Sequence, residues 1–426
     1  MSLGPFGEYY FLLSPEAVRE VVLEKAEAFP ERFSVDLFET LGLDRGIVYA
    51  QGAPHRANKR ACIPSFESSR SMATFLEAIQ AETAKTEARW EAQIAAAGGR
   101  GARLDVYAEL RKLTLDVVLA VTFGTADFAE RDELSTVIGD YLEAIVATAN
   151  EIPPLWQITP SLSANYRRVA GDGGLLARLR TLVLRLIAER RSTMAESGGG
   201  GQQRIDSADL LGALIESGAD DETVLYVLFD LVIAGSDTTA STVSALVFLL
   251  HARGNERCLE RAVGDVAGAD LEGVTLETAL GEAPYMTAAA KEVLRLYPPV
   301  PFIGRRSVAE ESVCGYRVPS GATLCWSPYA LGRDARHWAR PTEGFEPARF
   351  LGDAPRGRDS FAWLPFGAGP RGCLGTRLGV TETVLAAARL LKRFEFAFEQ
   401  DELRYKYDLT LNLTGSCIAS VRPRRR

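Results

Sequence analysis

Apolar residues recur at intervals of three and four over most of the chain, the spacing of one buried helix face. The pattern predicts helices over 14–28, 72–97, 106–123, 130–149, 174–196, 207–216, 222–252, 280–296 and 379–394, the first opened by Ser14 in the capping position. Short apolar runs of strand type fall at 9–12, 312–318, 323–326 and 394–398, with a hairpin-like pair inside 403–422. Gly198 to Gly201, followed by two glutamines, reads as a flexible loop near 197–204. Helices of one kind flank it, so it does not divide domains. No internal repeat is visible. The expected architecture is mainly α with small β-sheets, in a single large domain over 1–426.

The run from Val224 to Leu250 is long enough to suggest a membrane span. Asp230, Asp237 and a Ser/Thr cluster interrupt it, and charge at mid-bilayer is costly. A helix through a large core is the expectation. A hydrophobic share of 47% over 426 residues supports such a core without disulfides. The net charge of −8 argues against a nucleic-acid partner. Six cysteines (Cys62, Cys258, Cys314, Cys325, Cys373 and Cys417) form no C-x-x-C pair and read as thiols in a reducing compartment. Three scattered histidines are too few for a histidine-built metal site. The opening Met1-Ser2-Leu3-Gly4-Pro5 lacks the pattern of a signal peptide.

Candidate chemistry concentrates in Phe366-Gly367-Ala368-Gly369-Pro370-Arg371-Gly372-Cys373-Leu374-Gly375. Glycines at 367, 369, 372 and 375 permit tight turns around one cysteine. The following helix directs its positive end toward that sulfur, which favours thiolate. Three readings follow: a buried structural cysteine, a nucleophile needing a histidine, or a metal-ligating thiolate. The string fits F-x-x-G-x-R-x-C-x-G at every specified position, and there the chain resembles the cytochrome P450 family. The resemblance implies Cys373 as axial ligand of haem b, with Phe366, Gly367 and Gly375 lining the cofactor.

Other segments extend the resemblance over about 9–422. Glu292-Val293-Leu294-Arg295 is similar to the family's E-x-x-R pair, with Arg349 in Phe345 to Phe350 completing a structural triad; alone, this spacing is a surface ion pair. Ala234-Gly235-Ser236-Asp237-Thr238-Thr239 resembles the oxygen-activation motif. Asp237 and Thr238 are then the acid–alcohol pair for proton delivery, with Ala234 beside the haem. Glycine and threonines there predict a local opening of the helix; the plain reading is a polar patch. His55 and Lys59 stand where the family carries W-x-x-x-R, a departure in both residue types; the resemblance implies both as propionate contacts, with Arg60 adjacent. Arg305 and Arg371 are the other implied propionate contacts. A solvated basic face is the plain reading.

The family would make this chain a monooxygenase that inserts one atom of O₂ into a hydrophobic substrate. Its pocket would draw on Leu41, Ile47, Ile233, Val300, Phe302, Ile303 and Leu413, each about as readily a core residue. The stretches 46–66, 305–307 and 411–414 are loosely similar to the plant and algal carotenoid-ring hydroxylases; a fatty acid or terpenoid is the alternative substrate. No dinucleotide fingerprint is present, so electrons would come from a separate reductase or ferredoxin, docking near Arg377 or Arg358. Against the family pattern the N-terminus reads as truncated, and plastid or membrane association would need a segment ahead of Met1. Competing readings are a hydroperoxide isomerase or dehydratase of the same fold, a haem sensor or carrier, and a haem-free helical scaffold.

Overall fold

The computed structural model describes residues 9–32, 36–124, 131–197, 209–275, 278–353, 357–408 and 410–425. The loop expected to be flexible lies, beyond Ser197, outside these residues. The chain forms two compact units, one of 1–33, 79–114 and 237–426, the other of 34–78 and 115–236. Each is described by itself.

The first unit holds the described sheets. A four-stranded sheet runs Tyr9–Phe11, Thr323–Trp326, Ile303–Arg306, Glu31–Arg32, with only the first pair parallel. Its core includes Val18, Val21, Phe29, Leu324 and Trp326. A three-stranded sheet orders Ala102–Asp105, Ile418–Pro423, Phe394–Phe398. The expected strand 312–318 is instead a hairpin, Glu311–Val313 against Tyr316–Val318. It turns at Cys314 (φ 48°) and Gly315 (φ 80°), a bend that a non-glycine first residue conceals in the sequence. The expected helix 14–28 opens at Pro15 with Ser14 accepting from the Ala17 amide, but is α only to Arg19 and then a π-turn, Glu20–Glu24. Pro284 splits 280–296 into Ala279–Glu282 and Pro284–Leu296. Helix Glu256–Ala267 was missed in the sequence although its apolar residues fall on one face, Ala262 and Val266 being buried.

Helix Pro284–Leu296 is buried almost throughout. Its Glu292 and Arg295 side chains have no solvent exposure. Arg295 donates to both carboxylate oxygens of Glu292 (2.7 and 2.6 Å), and to the carbonyls of Gly332, Thr342 and Gly344. Arg349 Nε lies 3.4 Å from Glu292 Oε1, and its terminal nitrogens donate to Ala339 and Pro341. Three charges thus fix about fifteen residues of irregular backbone ahead of the cysteine turn, each desolvated charge compensated by hydrogen bonds. A second buried pair, Glu87 with Arg389 (2.9 and 2.8 Å), ties helix Ser69–Ala96 to helix Thr376–Arg393.

In the second unit, helix Arg131–Ala149 packs on Ala164–Ala170 and Leu175–Ser197, and Leu210–Glu216 packs on Gly52–Glu67. The central helix Asp221–His251 contributes to both units. It is long and apolar enough to cross a membrane, but 67% of its most apolar window is buried inside the protein.

Removing one charge of the triad strands two guanidiniums in a dry site. Glu292→Gln is therefore expected to cost about 3–5 kcal/mol, read as the shift in a urea unfolding curve. A loss no larger than that of an exposed ion pair, under about 1 kcal/mol, would refute the structural weight given to this carboxylate.

Candidate functional site

Cys373 lies two residues before Gly375, the N-cap of helix Thr376–Arg393. Its amide donates to the Phe366 carbonyl (2.9 Å) and its carbonyl accepts from Thr376 Oγ1 (3.1 Å). The backbone is satisfied locally while the residue remains exposed. Two of the four glycines are needed for the bend, Gly367 (φ 64°) and Gly369 (φ 68°); a side chain on Gly369 would also run into the Val22 carbonyl. Gly375 (φ −85°) and Gly372 (φ −58°) adopt backbone angles open to any residue, but a side chain on Gly372 would press on the Gly369 carbonyl at 3.2 Å, so there the expected close backbone approach is what glycine provides. Phe366 is half-buried, edge-on to Trp363.

Beside the turn, three guanidiniums converge. Arg32 and Arg305 are register partners on adjacent strands, an arrangement of like charges that destabilises a bare sheet. Arg32 donates to the Arg371 carbonyl (2.8 Å). Burial, then repulsion from Arg32 and Arg371, pushes Arg305 down to about 9. Burial and Arg32 push Arg371 to about 10, with Glu31 partly opposing. Arg305 forms no ion pair among the described residues; it stacks over Trp326 and donates to Gly304. Such a cluster suits an anion with two or more carboxylates. Arg32 escaped the sequence reading, because a two-residue strand carries no periodicity.

A lone thiolate can hold a metal ion only when the other donors arrive with it. Among the described residues no group of three His, Cys, Asp or Glu is placed to supply them. A porphyrin brings four nitrogens and two propionates, so Cys373 and the arginine cluster fit haem.

The central helix is α-helical through Ala234–Thr239, so the expected local opening is corrected. Ser236 and Thr242 hydroxyls bond back to the carbonyls of Val232 (2.9 Å) and Thr238 (2.8 Å), and the ladder continues. Gly235 serves close packing: a Cβ there would lie 2.9 Å from Val118. Ala234 is exposed, and Asp237 and Thr238 are half-buried. Asp237 Oδ1 lies 3.4 Å from Arg111 Nε, and Oδ2 accepts from Thr410 Oγ1 at 3.4 Å.

The remaining expected residues divide. His55, buried, and Lys59, half-buried, lie four apart on helix Gly52–Glu67 in the second unit, with Arg60 exposed. Leu41 (4% exposed) is core, and Leu413 packs with Tyr107, Ala240 and Phe248. Ile233 lines a small apolar cavity with Tyr141 and Phe229. Val300 and Ile303 are half-buried; Phe302 is exposed beside Tyr407. Arg358 is half-buried and stacks on Trp338 at 4.0 Å, and burial lowers its affinity for a proton. Arg377 is exposed.

Comparison with known proteins agrees with this geometry. The family profile described as Cytochrome P450 matches residues 4–415. Cyclooctat-9-en-7-ol 5-monooxygenase of Streptomyces melanosporofaciens is 31% identical over 92% of this chain and 81% of its own. Cytochrome P450 4F3 of Rattus norvegicus is 25% identical over 99% of this chain and 82% of its own. The crystal structure of the cytochrome P450DA heme domain superposes with a TM-score of 0.79 at 23% identity, over 97% of this chain and 88% of that one, which establishes the fold. With the thiol turn, the buried triad and the mainly helical architecture, these matches show that the chain belongs to the cytochrome P450 family of haem-dependent oxidoreductases.

Proposed function

We propose that this chain binds haem b through the Cys373 thiolate and inserts one oxygen atom of O₂ into a C–H or C=C bond of a hydrophobic substrate. The observation that carries the reading is the Cys373 turn, whose amide and carbonyl are bonded within the segment while the residue stays exposed, two residues from the buried Arg371. When bound, the group would supply the redox chemistry of oxygen activation, and the Cys373 thiolate would be the residue that holds its iron.

The chain's own residues then have separable tasks. Arg305, Arg371 and Arg32 hold the propionates. Thr238 holds a proton at its hydroxyl and Asp237 replenishes it, the carboxylate kept in place by Arg111 and Thr410. Val300 and Ile303 contribute apolar surface for the substrate. An isoprenoid, a carotenoid included, is the substrate class favoured by the bacterial relative named for a cyclic alcohol; a fatty acid is the second choice. Electrons come from a separate reductase or ferredoxin. A hydroperoxide isomerase would have little use for the Asp237–Thr238 pair, and a haem carrier none.

Titrating the ferric protein with isoprenoids and fatty acids, and following the Soret band, tests the substrate class. Cys373→Ala is expected to lose the red-shifted carbonyl band of thiolate ligation; retention of that band would overturn the assignment. Thr238→Ala is expected to keep the band but divert reducing equivalents to hydrogen peroxide, measured as peroxide formed per NAD(P)H consumed. Full coupling in that variant would remove Thr238 from the relay.

Arg305 also gives a pH dependence. An anion beside it raises a guanidinium held near 9 in its absence. Binding strength from this residue is therefore complete below about pH 9 and falls as pH rises through the bound-state value. Haem transfer to apomyoglobin, measured across that range, should accelerate above about pH 9, and Arg305→Met should flatten the response. An unchanged profile in the variant would show that the cluster does not hold the propionates.

A further inference from the structure

Asp230 is not used by the chemistry above, yet it is an acid 5% exposed in the most apolar stretch of the central helix. A carboxylate there is costly unless strongly bonded. Its partners are two successive backbone amides of the second unit, Ile47 (2.5 Å) and Val48 (2.7 Å), which converge on Oδ2. The preceding two residues are held from the other side. Asn58 Nδ2, on helix Gly52–Glu67, donates to the carbonyls of Arg45 (2.9 Å) and Gly46 (2.7 Å). Four consecutive residues thus have a backbone group gripped by one of two side chains from two different helices.

The approach is close enough to dictate residue type. A Cβ on Gly46 would meet the Asp230 carboxylate and lie 2.7 Å from the Tyr226 carbonyl. The φ of Gly46 is −80°, so proximity and not a left-handed turn requires glycine here. Tyr226, one turn before Asp230 on the same helix face, carries the Arg45 guanidinium over its ring at 5.4 Å. It would also stand 3.2 Å, through its hydroxyl, from a Cβ at Gly42. Two residues four apart on the central helix therefore fix the path of 42–48, and Ile47 sits half-buried at the centre of that path.

We infer that Asp230 and Asn58 form a latch that sets substrate specificity by fixing where Ile47 stands. Asp230 is a positioning residue: it acts on the substrate only through the backbone it holds. The inference rests on the proposed haem monooxygenase reading for the role of Ile47, while the latch rests on the geometry alone. A rigid loop rejects bulky ligands that a loosened one admits, and leaves small ones indifferent.

Two measurements on the haem-loaded protein test this. Hydrogen exchange of the peptide containing 47 and 48 should rise about ten- to hundredfold in Asp230→Ala, the factor carried by a lost charge-assisted hydrogen bond. Asn58→Ala, which removes the opposite grip, should loosen the same peptide. Asp230→Asn keeps an oxygen acceptor and should restore part of the protection. The second arm compares imidazole with 4-phenylimidazole by Soret titration. In Asp230→Ala the bulky azole should change affinity about tenfold, as pocket mismatches do, with imidazole within about twofold. Unchanged exchange in Asp230→Ala overturns the latch. An equal shift for both azoles, or none for either, overturns its part in specificity. A wild-type protein giving no azole shift would count against haem binding instead, and the exchange arm would still decide the latch.

Discussion

A sulfur can be offered to a metal only if the backbone that carries it is satisfied without covering it. At Cys373 this constraint is met by a bend whose amide and carbonyl find partners within a few residues. The bend depends on two glycines, one pressed against the Val22 carbonyl, so the turn is set by the segment behind it as much as by its own sequence. The Glu292 triad holds the irregular chain leading into that region by charges almost wholly withdrawn from water. Buried ion pairs add little net stability over apolar packing but strongly penalise any other arrangement. That penalty suits a stretch of chain with little regular structure to define it.

The arginine cluster shows the opposite strategy. Arg32 and Arg305 face each other across two strands, and desolvation adds to their repulsion. Local stability is given up at a place where a bound anion would restore it, a pattern common at binding sites. The same logic separates the central helix from a simple core helix. Its hydroxyls bond inward to the helix's own carbonyls, while Asp237 reaches sideways to Arg111 and Thr410.

Much of this was legible because the informative residues are neighbours in sequence. The cysteine string and the E-x-x-R pair each lie within one turn or one helix, and the helices over 72–97 and 106–123 run without a proline or glycine. What escaped was non-local or aperiodic. Arg32 belongs to a two-residue strand, and Cys314 hides a hairpin by taking the first left-handed position of its turn, where glycine or asparagine is usual. Asp230 is separated from the Ile47 amide by 183 residues, and in sequence reads merely as a charge spoiling an apolar run. The expected opening of the central helix failed because serine and threonine can fold their hydroxyls back onto the preceding turn instead of breaking it.

The grip on residues 45–48 touches only main-chain atoms. Side chains at 47 and 48 can therefore be exchanged without disturbing what holds them, whereas Gly46 cannot. For anyone diversifying this protein, randomised libraries at those two positions would explore new shapes on an unaltered scaffold, with the adjoining glycine left untouched.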